Sequence, residues 1–352
     1  VLDGAPHRVS IDPAIAWRAQ EVRRGGTLLL GTVVLAGCFA VDVATGPAML
    51  PLGQVVRTLI GLTADPMVNA IVHGLRLPIA LMAVLVGAAL GVSGAVMQTV
   101  LNNPLASSYT LGISAGAGFG AALAILVGAS LPLPEGWAIP ISAFAFAGLA
   151  CALVAGAGRI RGATPELLVL AGIACLFLFQ ALQSLLQFLA SPEALQQIVF
   201  WLFGSLTRAS FPKVAVVAVV LAVVLPLVLR DAWRLTALQM GDERARALGV
   251  QVNGLRLRAL VAVSLLTGAA VAFVGTIGFI GLVAPHVARM LVGADQRHML
   301  PASALFGAVL LSAASVVSKL LVQGTVFPIG IVTALIGVPF FAWLILSVGR
   351  KR

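Results

Sequence analysis

The chain has 352 residues, 60% hydrophobic and 10% charged, with a formal net charge of +10 and a mean hydropathy of +1.08. Soluble domains carry about 25% charged residues, so this composition excludes a water-soluble globule and leaves no polar stretch long enough for an aqueous domain. The positive charge does not point to nucleic acid, because the basic residues fall in short loops between apolar runs, the pattern that orients membrane proteins.

Residues 1–26 form a polar segment with scattered charge. It lacks the short apolar core and small-residue cleavage site of a secretory signal, so the first apolar run is expected to stay attached. Apolar runs then recur near 27–46, 77–101, 110–128, 137–157, 167–190, 211–230, 257–276, 278–293, 300–322 and 328–348. Most suit a helix crossing roughly 30 Å of hydrocarbon. The eighth is short and contains Pro285, His286 and Arg289, so it is the weakest as a full span. The expected fold is all-α, a polytopic membrane protein of about ten helices, with 27–349 as one membrane domain. The Asn102-Asn103-Pro104 stretch reads as a turn between the second and third runs. Cys38, Cys151 and Cys175 sit inside apolar runs and read as small hydrophobes.

With ten spans and the N-terminus inside, the outer face keeps only Arg57, Arg76, Arg208, Lys213 and Lys319 of the 22 lysines and arginines. Arg256, Arg258 and Arg289 count among the inner charges. This split places both termini in the cytoplasm.

The chain also repeats itself. Gly87-Ala-Ala-Leu-Gly-Val-Ser-Gly94 matches Gly268-Ala-Ala-Val-Ala-Phe-Val-Gly275, and Pro104 and Pro285 each follow ten residues after the block. Leu75-Arg76-Leu77 and Leu255-Arg256-Leu257 precede the copies, and Phe119-Gly120-Ala121 resembles Phe306-Gly307-Ala308. The copies, about 75–190 and 255–348, begin on spans two and seven, which run in opposite directions. That is an inverted-topology repeat, an arrangement used by transporters with a path at the seam. Small residues at Gly87 and Gly91, and at Gly112, Gly116 and Gly120, mark faces where helices approach closely.

The polar segment 239–250 cannot span. Asp242 reads as an N-cap and Gly249 as a helix stop, giving a short cytoplasmic helix suited to docking a soluble partner; the same pattern also fits a solvated loop. Gln180, Gln183 and Gln187 share one face of span five, either lining a wet path or bonding between helices. Ser114 with His286 faintly suggests an intramembrane serine hydrolase, without an orienting carboxylate. Asp42 and Lys319 are the ionisable residues nearest mid-membrane, where a gradient-driven secondary transporter would need them.

Several blocks in combination resemble the permease subunits of binding-protein-dependent ABC importers for iron-siderophores, haem and cobalamin: Arg76-Leu77-Pro78 through Gly87-Ala88-Ala89-Leu90, Gly94, Gln98, Asn103-Pro104-Leu105-Ala106, Leu111-Gly112, Gly278-Phe279-Ile280-Gly281 through Pro285-His286, and Pro328-Ile329-Gly330 to Gly337-Val338-Pro339. The resemblance implies a homodimer in the bacterial inner membrane, two cytoplasmic ATP-binding subunits and a periplasmic binding protein. It implies no cofactor on this chain. ATP and Mg belong to the partner, consistent with the lack of a Gly-x-x-x-x-Gly-Lys-Ser/Thr loop here.

It further implies roles for single residues. Arg76 and Lys319, with Arg57, would dock the binding protein. Asp242, Glu243, Arg244, Arg246, Leu248 and Gly249 would couple to the ATPase. Asn103, Leu105, Thr164 and Glu166 would form the cytoplasmic gate, although Asn103 also fits an ordinary turn. Met97, Gln98, Gln180, Gln183 and Gln187 would border the path. Ile79 and Val326-Phe327 stand where the family usually has charged residues, which makes the expected docking surface less charged.

Overall fold

The computed structural model describes residues 13–46, 50–62, 65–127, 134, 136–322 and 324–348. In chain order the helices are α1 (Pro13–Ala44), α2 (Leu52–Leu59), α3 (Pro66–Ile71), a π-helical turn (Val72–Arg76), α4 (Leu77–Val100), α5 (Ile113–Val127), α6 (Ala138–Arg161), α7 (Pro165–Leu189), α8 (Pro192–Leu202), α9 (Phe211–Arg230), α10 (Ala232–Leu238), α11 (Asp242–Ala247), α12 (Val252–Val274), α13 (Ile280–Val292), α14 (Gln296–Leu320) and α15 (Ile329–Val348). Each of the ten apolar runs has a helical counterpart. Among the described residues seven helices are long and apolar enough to cross a membrane, and three shorter apolar helices include α5 and α13.

α4 is the central helix, buried along nearly its whole length. Its glycines explain why. A Cβ on Gly87 or Gly91 would strike the backbone of Gly307 or Ser303 in α14, and one on Gly94 would strike the backbone of Gly281 in α13. Without side chains there, the three backbones come into direct contact, which is how membrane helices gain packing energy when lipid is as apolar as leucine.

The same contacts give directions. Gly87 meets Gly307 while Gly91 meets Ser303, so α4 and α14 are antiparallel. Arg256, near the start of α12, bonds to Val100 at the end of α4. The helices that open the two repeat copies therefore run in opposite senses, as an inverted repeat requires. The Phe119 and Phe306 blocks do not extend this correspondence, because α5 is the second helix of its copy and α14 the third. Gly-Ala pairs recur on any closely packed membrane face.

α13 has 13 residues, a length of about 20 Å at 1.5 Å per residue, so the eighth run is a partial span. The chain reaches it through the non-helical residues 275–279, in which Phe279 has φ 66°. Nearby, three strand-less segments are knotted through their backbones: Ser205 N–H donates to Val274 O at 2.7 Å, Ile329 N–H to Gly204 O at 3.1 Å and Gly330 N–H to Phe203 O at 3.0 Å.

Candidate functional site: a buried arginine between a surface helix and two turns

Every carbonyl in the last turn of a helix lacks an intrahelical donor. At the end of α1 those carbonyls are met by cations. Arg76 Nη1 donates to Val43 O and Ala44 O at 3.2 and 2.6 Å, and Lys319 Nζ donates to Asp42 O at 2.8 Å. Lys319 also pairs with the Asp42 carboxylate at 2.7 Å, with the two side chains 3% and 0% exposed. Ser315 donates to the same oxygen of Asp42 at 2.8 Å. Positive charge at a helix C-terminus is favourable, and here it joins α1, α4 and α14.

This arrangement bears on the docking expectation. Arg76 and Lys319 are buried and turned onto α1, so they offer no charge to an outside partner in this conformation. Arg57, on α2, is exposed. The same burial pairs Asp42 with Lys319 through Oδ1 while Asp42 Oδ2 has no partner among the described residues, a sealed pair and not the solvent-accessible ionisable site a gradient-driven carrier needs. Ser114 is buried in α5, while the His286 ring faces Phe340 at 6.3 Å between centroids, so the hydrolase reading gains no geometry.

At the opposite end of α4 the polar residues are organised around Arg256. Its side chain is 2% exposed. Nη1 and Nη2 donate to Oδ2 and Oδ1 of Asp242, both at 2.7 Å, the bidentate fork that a planar guanidinium makes with a carboxylate. Nη1 also donates to Ala163 O at 2.9 Å and Nε to Val100 O at 3.3 Å. One side chain thus ties α11 to the end of α4 and to the loop before α7.

Asp242 is not the cap expected of it. Gly241, with φ 98°, occupies the cap position and Asp242 is the first helical residue. Its carboxylate is turned to Arg256 and, at 3.6 Å, to Arg246, so it cannot also fold back on the backbone. Gly249 does end the helix, at φ 81°. Glu243, Arg244, Arg246 and Leu248 are exposed and Ala245 is buried, so α11 presents a charged outer face while resting on an alanine.

The two turns that Arg256 reaches contain the expected gate residues. After Val100 the chain turns through Asn102 at φ 45°, and Asn103 Oδ1 accepts from Leu105 N–H at 2.9 Å. This Asx-type turn leaves Leu105 exposed. Beyond Ala163, Thr164 caps α7 by accepting from Leu167 N–H at 3.3 Å, and Glu166 is exposed in its first turn. Both turns therefore project from the bundle on short, locally bonded stretches.

A cleft of about 230 Å³ opens beside the first turn, lined by Gln98, Asn102, Asn103, Gln239 and Arg289 among others. Gln98 donates to Leu282 O and accepts from Arg289, both at 3.4 Å. Gln239 and Gln296 reach Thr99 Oγ1 at 3.5 and 2.9 Å. Met97 is fully buried in the core, which removes it from any path surface in this conformation, because residues on the free face of α4 alone can meet a solute. On α7, Gln180 is exposed, whereas Gln183 and Gln187 are partly covered and Gln183 lies against Gly118 of α5.

From the sequence, Arg256 reads as an inner charge and as part of the basic segment before the second repeat copy, with no partner assigned to it. The available signal was a Leu-Arg-Leu-Arg run at the start of an apolar helix, one turn inside where a loop charge would sit. No group of three or more His, Cys, Asp or Glu placed to hold a metal ion occurs among the described residues.

Known proteins share the sequence pattern and the fold of this chain. The profile of the FecCD transport family matches residues 33–347. The hemin transport system permease protein HmuU of Yersinia pestis is 38% identical over 327 residues, covering 92% of this chain and 97% of that one. The Fe(3+)-citrate import system permease protein YfmE of Bacillus subtilis is 35% identical over 325 residues, covering 92% and 96%. A solved structure described as an inward-facing conformation of a metal-chelate type ABC transporter superimposes with a TM-score of 0.81 at 33% identity, over 92% of this chain and 99% of that chain.

Proposed function

The chain belongs to the FecCD transport family, and from that premise we propose that it forms half of a homodimeric passage carrying an iron chelate into the cell, driven by two separate ATP-binding subunits. The observation that carries this reading is the Arg256 assembly. A helix with an exposed charged face is fixed to a buried arginine, and that arginine holds the ends of two turns that border the path.

The work is divided by chemistry. ATP and Mg are handled by the partner subunits, which lean on Glu243, Arg244, Arg246 and Leu248. A displacement of α11 moves Asp242, and the bidentate contact draws Arg256 with it. Arg256 in turn pulls on Val100 O and Ala163 O, shifting the turns that carry Asn103, Leu105, Thr164 and Glu166. Contacts of this kind act as a two-position link because packed helices do not deform continuously. Gln180 and the partly covered Gln183 and Gln187 border the passage, with Gln98 at its inner end. The charge distribution puts α11 in the cytoplasm and Arg57 on the side where a periplasmic binding protein delivers cargo, in a bacterial inner membrane.

For cargo we favour haem within the class of iron chelates, with ferric citrate and ferric siderophores as competitors inside that class and cobalamin, a cobalt complex, as the competitor outside it. Relatives named for hemin and for Fe(3+)-citrate support the class, and the acid-poor outer face suits an anionic ligand. The experiment is competitive uptake into cells lacking their own importers, offered each cargo in turn. Haem uptake dependent on this chain and on the nucleotidase supports the reading. Uptake of cobalamin alone contradicts the cargo, and accumulation without the nucleotidase contradicts the mechanism.

A further inference from the structure

A second cleft lies at the α11 end but away from the gate turns. It has a volume of about 780 Å³ and is walled by α6, α9 and α12, within the roughly 300–1,000 Å³ range of ligand sites. Its walls include Ala155, Val224, Leu227, Val228, Val261 and Leu265. Leu227 and Val261 are also exposed on the outside of the bundle, as are Val219 and Val223 on the same helix, α9. The cleft therefore lies between two helices, α9 and α12, whose outer surfaces are apolar.

The lining also includes four arginines, Arg159, Arg230, Arg234 and Arg258, and one carboxylate, Asp231. Asp231 accepts from Arg234 and, at 3.2 Å, from Arg258 Nε. Arg159 and Arg230 have no carboxylate partner among the described residues. Four guanidinium groups against one acid leave a strong positive field at the ends of three membrane helices, where phosphate headgroups lie.

We propose that this cleft is a binding site for an anionic phospholipid, with an acyl chain between α9 and α12 and the phosphate on the arginine cluster. The two halves of the cleft select the ligand together. A free phosphate would use the arginines but leave the apolar walls empty, and a neutral lipid would fill the walls but leave the arginines unmatched. A soluble acidic partner would meet the arginines but leave the apolar walls uncovered. Basic pockets between membrane helices on the cytoplasmic side attract anionic headgroups for this reason. Because Asp231 and Arg234 lead directly into α10 and α11, a bound lipid would brace the base of the lever.

The test is native mass spectrometry of the full-chain dimer released from vesicles of phosphatidylglycerol or of phosphatidylcholine. Wild type should retain phosphatidylglycerol roughly tenfold or more in preference to phosphatidylcholine, and the Arg159→Gln/Arg230→Gln double variant should lose most of that preference. Ala262→Phe, which fills the apolar wall while keeping every arginine, should lower retention of both lipids; thermal unfolding and dimer mass check that the variants fold. Equal retention of the two lipids, an undiminished preference in the double variant, or displacement of the lipid by inorganic phosphate would overturn the proposal. So would loss of the lipid when the ATP-binding subunits bind, which would assign the arginines to that partner.

Discussion

One buried ion pair lies near each end of α4, and the two differ in what they connect. At the Arg76 end, Lys319 and Asp42 are both sealed, at 3% and 0% exposure, and both belong to long membrane helices. At the other end Arg256 is as deeply sealed, but its partner Asp242 is 28% exposed and sits on the short surface helix α11. The first pair locks α1 to α14. The second joins an exposed surface helix to the core, and in the proposed mechanism it is the point at which motion enters.

Breaking the locked pair has the largest expected effect. Lys319→Ala leaves the Asp42 carboxylate buried with a single donor, Ser315, and should destabilise the purified protein by about 3–5 kcal/mol, the cost of orphaning a buried charge. Chemical denaturation in detergent measures it. Replacing both partners, Asp42→Leu with Lys319→Met, should recover most of that loss, because a matched apolar pair removes both desolvation penalties.

Between the ends, α4 should tolerate no added bulk. Gly94→Ala places a methyl group on the Gly281 backbone, and overpacking of this kind costs about 1–3 kcal/mol. A shift in unfolding midpoint reports it. A neutral result would mean that α13 moves freely against α4, and the middle of the bundle would then be a hinge and not a fixed support.

The half-open pair should separate stability from function. Arg256→Lys keeps a charge but loses the fork, since an ammonium cannot bind a carboxylate bidentately. ATP-driven uptake should fall several-fold while the nucleotidase stays active, and the unfolding midpoint should move less than in Lys319→Ala. The smallest effect belongs to the exposed Arg57. Arg57→Glu should weaken binding-protein docking about twofold to fivefold at low salt and scarcely at all at high salt, as rim charges do.

The apolar runs made ten helices legible because a membrane segment must satisfy its own backbone, and the boundaries of α9 and α15 agree with the runs to within a residue. The glycine faces were legible for the same reason. What connects the helices was not. Asp42 and Lys319 are 277 residues apart, and no local pattern pairs them. Arg256 reaches Val100 and Ala163 across 156 and 93 residues, so its position near a helix end read as an ordinary loop charge. The amphipathic helix α8 was missed because its Gln196-Gln197 pair interrupts the apolar run. The expected gate turn at Asn103 was legible from its Asn-Pro pair, but its attachment to α11 through one arginine required the folded chain.

The most direct test of the central claim is uptake and ATP hydrolysis measured together in proteoliposomes holding the dimer, its ATP-binding subunits and the binding protein, for wild type and Arg256→Ala. The account predicts that the variant still hydrolyses ATP but moves cargo at least about tenfold more slowly per ATP, since the link from α11 to the turns is cut. Wild-type transport per ATP in the folded variant would contradict it.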